Sequence, residues 1–269
     1  MKTNQSESPS DVWPIGRISC GLSTRLCAIV AVVKPSADYR RRLRRKVIFG
    51  LAICLAGIGV YEGVILFRII RLKQRNPDTT AFIEKRSREA VAQGKVPQKR
   101  MVWIPSERIS PHLLHAVISA EDPNFWKHRG VDRFAIRLAL EKDWRERRLV
   151  RGGSTVDQQL AKNLFLSPSK NPLRKVQEII VAVEMEIFLG KTRILEIYLN
   201  VIEWGDGVYG AEAAAQHYFK SSASSLTPEQ AAYLAAIIPG PLGAYNPAKY
   251  PDRVQRRALW ILSRIQQTN

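Results

Sequence analysis

Two adjacent carboxylates in the stretch SAEDPNFWKHRG, residues 119–130, are the first candidates for chemistry. Glu121 and Asp122 follow an apolar run with helical spacing and precede a proline, which ends a helix at the residue before it. The free carbonyls at a helix end disfavour negative charge, and burial beside Phe125 and Trp126 favours the protonated acid. Both effects raise the pKa of Glu121 towards the range that suits a general base. A solvated helix end explains the same residues, and this stretch alone leaves that alternative open.

The same stretch contains His128, for which two roles are open. It could be a second catalytic group, or it could form hydrogen bonds that order the loop around the acids, and we expect the second role. His112 and His115 are an i, i+3 pair without nearby cysteines or a carboxylate partner on the same helix. The residues therefore do not predict a zinc site or another protein-bound metal cluster.

A second motif, RGGSTVDQQLAKN at 151–163, places a glycine pair before a predicted helix. Glycines allow close backbone approach and the first amides of a helix attract an anion, so the motif is a candidate anion-binding site. Ser154 with Asp157 resembles a capping box that uses Asp in place of Glu. Gln158 and Lys162 are four residues apart and should project along one groove. The motif is not a Walker A loop, and a glycine-rich helix start without a ligand is the alternative.

A third motif, RKVQE at 174–178, pairs a cation with a carboxylate on one helical face. Arg174 and Glu178 are four residues apart, and the apolar residues after Glu178 indicate an enclosed site. Lys170, in the preceding loop, could add a mobile cation. An ordinary surface ion pair is the alternative. Read together, the three motifs combine a carboxylate base, an anion site with several cations and a second carboxylate.

The composition predicts a membrane-anchored chain with an anionic partner. The 269 residues carry a net charge of +18 and are 45% hydrophobic, which allows a substantial core. Residues 47–67, VIFGLAICLAGIGVYEGVILF, contain Glu62 as their only charge. As a helix they span about 30 Å, the thickness of a bilayer core. The run is too long and too far from Met1 for an ordinary signal peptide, and a buried core helix is the alternative. With such an anchor, the natural substrate is a lipid-linked phosphate.

Basic residues flank this apolar run on both sides. The cluster Arg40–Lys46 favours a cytoplasmic N-terminus, whereas Arg68, Arg71, Lys73 and Arg75 follow the run and weaken that argument. All three cysteines lie within or before the run, so the remainder is compatible with an oxidising compartment. We expect the N-terminus inside and the main domain outside.

Helix signals dominate the rest of the chain and strand signals are few, so the fold class predicted is mainly α. Helices are predicted after Ser110-Pro111, over 132–149, from Asn171-Pro172 to Gly190, over 192–200, over 211–219, and after a capping box at 227–230. A glycine-rich turn, GDGVYG at 205–210, separates two of them.

The ordered set of motifs resembles the bacterial peptidoglycan glycosyltransferases, family 51 of the glycosyltransferases, and most closely the monofunctional biosynthetic transglycosylases. The matching stretches are EDPNFWKHRG (121–130), GGSTVDQQLAKN (152–163), RKVQE (174–178), RILEIYLN (193–200) and WGDGVYGAEAAAQHYF (204–219). The resemblance covers roughly residues 100–245. It implies a lysozyme-like, mainly α domain with a smaller membrane-proximal lobe. It also implies an enzyme that polymerises lipid II, a disaccharide-pentapeptide on undecaprenyl diphosphate, into β-1,4-linked glycan.

The resemblance further implies roles for the matched residues. Glu121 would deprotonate the acceptor 4-hydroxyl, whose oxygen would attack the anomeric carbon of the lipid-linked chain with inversion and release of undecaprenyl diphosphate. Glu178 would support the pyrophosphate or a divalent cation there, Mg²⁺ or Mn²⁺, and no tightly bound cofactor is expected. The basic matches that would offset charge on the leaving group are Lys162, Lys170 and Arg174. The other matches, which would bind substrate or shape the site, are Asp122, Phe125, His128, Ser154, Thr155, Gln158, Gln159 and Asn163.

Two residues depart from the pattern of the family. Asp157 occupies a position usually held by Thr or Ser, and the capping-box interpretation turns its carboxylate towards the helix start. Lys170 occupies a position usually held by Arg, so it keeps the charge and loses the planar fork.

We therefore expect a basic cytoplasmic tail (1–46), a transmembrane helix (47–67), a membrane-proximal linker (68–99) and a glycosyltransferase domain (100–269). The protein would be single-pass in a bacterial cytoplasmic membrane, with its catalytic domain periplasmic or extracellular. The expected partners are lipid II, the growing lipid-linked glycan, the membrane and other cell-wall synthesis or division proteins, with no nucleic acid. Because no Ser-x-x-Lys arrangement of a penicillin-binding domain fits, we expect no transpeptidase activity.

Two alternatives to the polymerase remain open from the sequence. A lysozyme-like or lytic glycan-cleaving enzyme would also need a glutamate at a helix end, but it would not need an anion site for a lipid phosphate. A non-catalytic membrane scaffold would explain the basic charge, but not the order of the motifs.

Overall fold

The computed structural model describes residues 37–146, 153–166 and 171–268. Contacts between residues divide the chain into two compact units, Met1–Gly57 and Ile58–Asn269. In the first unit, the described residues 37–57 all belong to helix α1, Ala37–Arg71.

Helix α1 is 35 residues long and is apolar enough to cross a membrane. Its most apolar window has a mean hydropathy of 2.0, and 6% of that window is buried. A core helix of a soluble domain would be mostly buried, whereas Leu51 and Leu55 are exposed. The exposure favours a membrane anchor over a core helix, and α1 contains the whole predicted span 47–67.

The second unit is mainly helical, as predicted from the sequence. Its helices within the described residues are α2 (Ala81–Ala92), α3 (Pro111–Glu121), α4 (Arg133–Glu146), α5 (Val156–Phe165), α6 (Pro172–Leu189), α7 (Lys191–Val201), α8 (Ala211–Phe219), α9 (Pro228–Ile237) and α10 (Pro251–Thr268). Single 3-10 turns lie at Ser106–Arg108 and Ala223–Ser225. Three short strands, β1 (Arg100–Met101), β2 (Glu203–Gly205) and β3 (Val208–Tyr209), form a sheet in the order β1-β3-β2. Strand β3 pairs parallel to β1 and antiparallel to β2.

Local signals predicted most of the helix ends correctly. Asn171 caps α6 by accepting a backbone N–H of the first turn, and Gly190, with φ 77°, ends that helix. The capping box of Thr227 and Gln230 is present at the start of α9. Helix α3 ends at Glu121, as the proline two residues later requires.

The start of α5 lies one residue later than predicted. Thr155 is the N-cap: its hydroxyl accepts the N–H of Gln158 at 3.2 Å, and the Gln158 side chain accepts the N–H of Thr155 at 3.0 Å. The capping box predicted for Ser154 and Asp157 is therefore wrong. Ser110 does precede α3, but its buried hydroxyl donates to a carbonyl across the core and makes no cap bond.

One core extends from the end of α1 through the remaining helices. Ile69 and Leu72 are buried in the same cluster as Trp204, which is 0% exposed. The segment 68–99, predicted as a linker, contains α2, and Ile83 of that helix is 2% exposed. This segment therefore contributes to the packing of the second unit.

The predicted glycine-rich turn is the β2–β3 hairpin and its connection to α8. Gly210 has a φ of 84°, and a Cβ there would lie 2.6 Å from the carbonyl oxygen of Asn200. Asn200 is buried at the end of α7, and its side chain bonds both the N–H and the carbonyl of Ile104 at 2.9 Å. Only glycine allows this close approach without strain.

Candidate active site

Glu121 lies at the C-terminal end of α3, where side chains from two other helices hold both of its oxygens. Gln159 of α5 donates to Oε2 at 2.9 Å, and Arg257 of α10 donates to Oε1 at 3.0 Å. The Tyr198 hydroxyl donates to Oε1 of Gln159 at 2.8 Å and so orients that amide. Burial raises the pKa of Glu121, while Gln159 and Arg257 act in the opposite direction. The predicted direction of the shift is confirmed.

Asp122 and His128 form a buried pair behind Glu121. Nε2 of His128 lies 2.9 and 3.0 Å from the two carboxylate oxygens of Asp122. Asp122 also accepts the N–H of Val156 at 3.0 Å, which ties the loop after α3 to the first turn of α5. The loop-ordering role predicted for His128 is confirmed by these bonds, and its side chain is only 6% exposed.

The aromatic residues of this loop separate into one buried and one exposed side chain. Phe125 is 0% exposed and packs edge-on against Trp126, with ring centroids 4.9 Å apart. Trp126 is 58% exposed, so it adds little to the burial of the acid. Phe125 belongs to the core and has no accessible side-chain surface for a substrate, so of the two roles expected of it the geometry favours shaping the site.

Asp157 does not face the helix start but forms a buried ion pair with Lys191 of α7. Nζ of Lys191 lies 3.1 and 3.2 Å from the Asp157 oxygens, 3.3 Å from Nδ1 of His128, and 2.9 Å from Glu186. Burial raises the pKa of Asp157 to about 6, and the nearby Lys191 limits the rise. This interaction explains how an acid is accommodated at the position: the ammonium of Lys191 balances its charge, and Asp157 is 0% exposed.

Three ligand-type side chains of this region, Asp122, His128 and Asp157, lie close enough to hold a metal ion, with candidate atoms within 4.8 Å of one another. The ammonium of Lys191 already contacts Asp157 and His128 in this cluster. An internal cation therefore meets the need for positive charge, and the arrangement does not fit a bound divalent metal.

Two of the first amides of α5 already have partners within the protein. The N–H of Val156 donates to Asp122, and the N–H of Gln158 donates to Thr155. The Thr155 hydroxyl itself donates to the carbonyl of Gly130 at 2.7 Å. Two of the amides expected to bind an anion therefore already have partners, and the anion site as a whole stays a prediction because Gly152 lies outside the described residues. Thr155 and Gln158 are buried and act in the packing of α5, so Gln158 does not share a groove with the lysine four residues later.

The cations collect instead around Glu178 of α6. Nη1 of Arg174 donates to Oε2 of Glu178 at 3.0 Å, and Nζ of Lys175 donates to Oε1. Burial lowers the pKa of Lys162, and the attraction of Glu178 and, more weakly, of Glu121 raises it. The side chain of Lys162 reaches solvent, but many protein atoms lie around it. This is the environment of a residue on the wall of an open site. Lys162 interacts electrostatically with both Glu121 and Glu178. The predicted base and the cation cluster therefore belong to one site.

The remaining predicted residues lie around this cluster or outside the described residues. Ser154 is exposed and its Oγ accepts from Nζ of Lys175 at 3.1 Å. The Asn163 side chain donates to the backbone carbonyl of Gln159 at 2.9 Å, next to the amide that holds Glu121. Lys170 and Gly152 lie outside the residues that the structure describes.

Three residues of the site were missed by the sequence analysis: Arg257, Lys175 and Lys191. Lys175 could have been found, since it is three residues from Glu178 on the same helix. Arg257 is 136 residues from Glu121 and lies in a helix with several other arginines, and Lys191 is 34 residues from Asp157. No local pattern distinguishes either residue.

Fold and site together define a class of protein: a mainly helical domain that follows an apolar, membrane-length helix and sets a buried acid beside a cluster of cations. The chain belongs to the transglycosylase family, whose sequence model matches residues 88–266. The match begins within α2, twelve residues before the predicted start of the domain at 100. The resemblance stated from the motifs is thereby confirmed.

Several curated relatives are similar over most of their length. A biosynthetic peptidoglycan transglycosylase of Nitrosomonas eutropha is 46% identical over 223 residues, which cover 83% of this chain and 89% of the relative. Proteins of the same name from Nitrosospira multiformis and Laribacter hongkongensis are 48% and 43% identical, covering 84% and 81% of this chain and 96% and 95% of the relatives.

Proposed function

We propose that this transglycosylase polymerises lipid II into the β-1,4-linked glycan strands of peptidoglycan and has no transpeptidase activity. The observation that carries the proposal is the position of Lys162 on α5, three residues after the Gln159 that binds Glu121 and within electrostatic range of Glu178. A carboxylate base and a cation cluster in one site suit a reaction in which a hydroxyl loses a proton while a diphosphate leaves. The names of the relatives support the same assignment.

In the proposed reaction, Glu121 accepts the proton of the acceptor 4-hydroxyl. The hydroxyl oxygen forms a bond to the anomeric carbon of the lipid-linked chain, and the bond from that carbon to the diphosphate oxygen breaks with inversion. Undecaprenyl diphosphate carries away the electron pair. Gln159 and Arg257 orient the carboxylate, and the raised pKa makes it a stronger base than an exposed glutamate.

The cations around Glu178 would stabilise the leaving diphosphate. Arg174 and Lys175 hold the two oxygens of Glu178, so their positions are set before substrate binds. Lys162 adds a third positive charge. With Glu178 as the one negative charge, this cluster has a net charge of +2. The leaving group becomes more negative in the transition state. Positive charges that are already in place stabilise it and lower the barrier, because no side chain has to move during the reaction.

This charge excess does not fit a divalent cation held by the protein alone. Both oxygens of Glu178 are already paired with cations, and Mg²⁺ or Mn²⁺ would be repelled by the excess positive charge. No step of the proposed reaction therefore runs through a metal. A magnesium requirement would arise from the diphosphate of the substrate rather than from Glu178.

The surface of the second unit supports a location at the membrane. Exposed apolar side chains recur along one face of α6 at Leu173, Val176, Ile180 and Ile187, and Leu173 is 73% exposed. Apolar stripes of this kind mark a membrane or protein contact. Together with α1, they favour a site close to the bilayer that carries the substrate. We propose that the N-terminus lies in the cytoplasm and the domain on the outer side, as the basic cluster Arg40–Lys46 favours.

The proposal is tested by polymerisation of labelled lipid II with the wild type, Glu121→Gln and the surface control Glu107→Gln, with and without magnesium. Long, lysozyme-sensitive glycan is expected from the wild type and from the control, but not from Glu121→Gln with an unchanged melting curve. Cleavage of preformed glycan without polymerisation would instead identify a hydrolase. If the folded wild type shows neither activity, the protein would instead be a non-catalytic membrane scaffold.

A further inference from the structure

A pocket of about 200 Å³ lies at the end of α1, and three arginines and four apolar residues are among the residues that line it. Arg68 and Arg71 belong to the last turn of the helix, and Arg75 follows it. Leu164 and Phe165, at the end of α5, form the apolar wall. All of these residues belong to the second unit. This basic cluster is the one that opposed the simple charge argument for orientation, and the proposed catalytic reaction does not use it.

The walls of the pocket are held in place by the core and by Arg193. Ile69 and Leu72, next to the arginines in sequence, are 0% and 8% exposed. Nε of Arg193 donates to the carbonyl of Leu72 at 2.9 Å, and its Nη2 donates to Oδ1 of Asn76 at 2.7 Å. The turn that carries Arg75 is therefore fixed to α7, so the pocket exists before any ligand binds.

The pocket has more positive charge than the protein balances. Within residues 37–146, 153–166 and 171–268, no carboxylate forms an ion pair with Arg68, Arg71 or Arg75. Arg68 lies over the ring of Phe165, with its guanidinium carbon 5.2 Å from the ring centroid. Asp78 also lines the pocket, which leaves an excess of two positive charges. Such a pocket suits an anion with an apolar part.

The position of the pocket along the axis of α1 matches the level of the phosphates in a bilayer. Arg68 directly follows the apolar run 47–67. Arg71 lies three residues further, about 4.5 Å along the helix axis. The headgroup layer occupies about 5–8 Å on each side of the hydrocarbon core. If α1 spans the bilayer, both guanidinium groups therefore lie at the level of the headgroups.

We propose that this pocket binds the phosphate of an anionic glycerophospholipid. The guanidinium groups of Arg68, Arg71 and Arg75 donate to the phosphate oxygens, while Leu164 and Phe165 contact the glycerol and the first acyl carbons. The bound lipid sets the height of the catalytic unit above the hydrocarbon core, because the pocket is part of that unit. The proposal depends on the membrane span and not on lipid II polymerisation.

Lys73 provides the control that distinguishes a specific pocket from a general basic surface. It is exposed, carries the same charge, lies between Arg71 and Arg75 in the sequence, and is not part of the pocket lining. General attraction to an anionic membrane is lost equally when either type of charge is removed. A specific site is lost only with the arginines.

The test uses the full chain in zwitterionic detergent, titrated with short-chain phosphatidylglycerol or phosphatidylcholine, with the retained lipid counted by native mass spectrometry. We expect one retained phosphatidylglycerol per chain and no retained phosphatidylcholine. Arg71→Gln should weaken retention about tenfold and Arg68→Gln/Arg71→Gln further, because each variant loses charged hydrogen bonds to the phosphate. Lys73→Gln should retain lipid like the wild type. Melting curves establish that each variant is folded.

Three results would overturn the proposal. Equal loss in Lys73→Gln and Arg71→Gln would mean general surface attraction. Displacement of the lipid by soluble glycerol phosphate at equal concentration would mean a site for soluble phosphate. Tighter binding of undecaprenyl diphosphate than of phosphatidylglycerol would make the pocket part of the substrate site. The assay involves no polymerisation, so its outcome is independent of the proposed enzymatic activity.

Discussion

Replacement of Arg257 tests how the tertiary structure tunes the proposed base. Arg257 donates to Glu121 at 3.0 Å while its guanidinium lies over the ring of Tyr245, 5.3 Å from the centroid. The Arg257→Gln variant keeps much of the side-chain volume and removes the charge. Because the cation favours the ionised acid, its loss raises the pKa of Glu121 further above its ordinary value.

The size of the effect follows from Coulomb's law. Two opposite unit charges about 4 Å apart attract by about 4 kcal/mol at the effective dielectric of a protein surface. Arg257 is 21% exposed and Gln159 continues to bind Glu121, so we expect roughly half of that value or less. About 1.4–2 kcal/mol corresponds to a rise of about 1 to 1.5 in the pKa of Glu121.

The assay is the pH dependence of kcat/KM for lipid II polymerisation. A base is inactive when protonated, so a higher pKa moves the acid limb of the profile to higher pH by about 1 to 1.5. Activity near neutral pH should fall and should recover as the pH rises. Arg257→Lys should show a smaller displacement, and the neighbouring, exposed Arg256→Gln should match the wild type.

The reasoning would be refuted by a folded Arg257→Gln enzyme whose acid limb coincides with that of the wild type. A uniform loss of activity at every pH would also contradict it, since that result would mean that Arg257 acts by orienting Glu121 or by contacting the substrate and not by shifting the pKa of Glu121.

Three further predictions concern other parts of the same unit. Because the pKa of Asp157 is raised from 3.8 to about 6, the folded chain binds more protons than the unfolded chain between these values. The unfolding free energy of the wild type should therefore fall relative to Asp157→Asn as the pH rises through this window, by about 3 kcal/mol in total, as measured by urea unfolding at several pH values; a constant difference would contradict the shift. Lys175→Gln should lower kcat for polymerisation about tenfold to a hundredfold, since it removes one charged hydrogen bond near the leaving group; an unchanged kcat would remove Lys175 from the site. Gly210→Ala should destabilise the domain by about 2 kcal/mol or more in urea unfolding, because its Cβ would meet the Asn200 carbonyl at 2.6 Å. Gly94→Ala has a similar φ of 71° with open space around it and should cost less, and equal losses would contradict the steric argument.

The sequence predicted the parts of the fold that depend on contacts within a few residues. Asn171 and Gly190 bound α6 because their side chain or backbone acts on the adjacent turn, and Thr227 caps α9 for the same reason. The apolar run at 47–67 predicted the long exposed helix from length and composition alone. The direction of the pKa shift of Glu121 was predicted from local features, although Trp126, one of the two aromatic residues used for that prediction, is exposed and adds little to the burial.

The start of α5 shows how a local signal can be assigned one position too early. Ser154 and Thr155 are both good N-cap residues, and each has a polar residue three positions later. Tertiary contacts separate the two alternatives: the Thr155 hydroxyl also donates to the carbonyl of Gly130, and Asp157 is drawn to Lys191. The N–H of Val156 donates to Asp122, 34 residues away, so one amide of this helix start has a partner that local spacing does not indicate.

The sequence by itself determined the identity of the helices, the apolar anchor and the glutamate at the helix end, since each depends on spacing along the chain. Tertiary structure alone decided which groups surround that glutamate. Gln159 reaches it across 38 residues and Arg257 across 136. Packing of α3 against α10 and the hydrogen bond from Gln159 of α5 set this arrangement. Long-range packing leaves no periodic trace around Arg257 that would distinguish it from the other arginines of its helix.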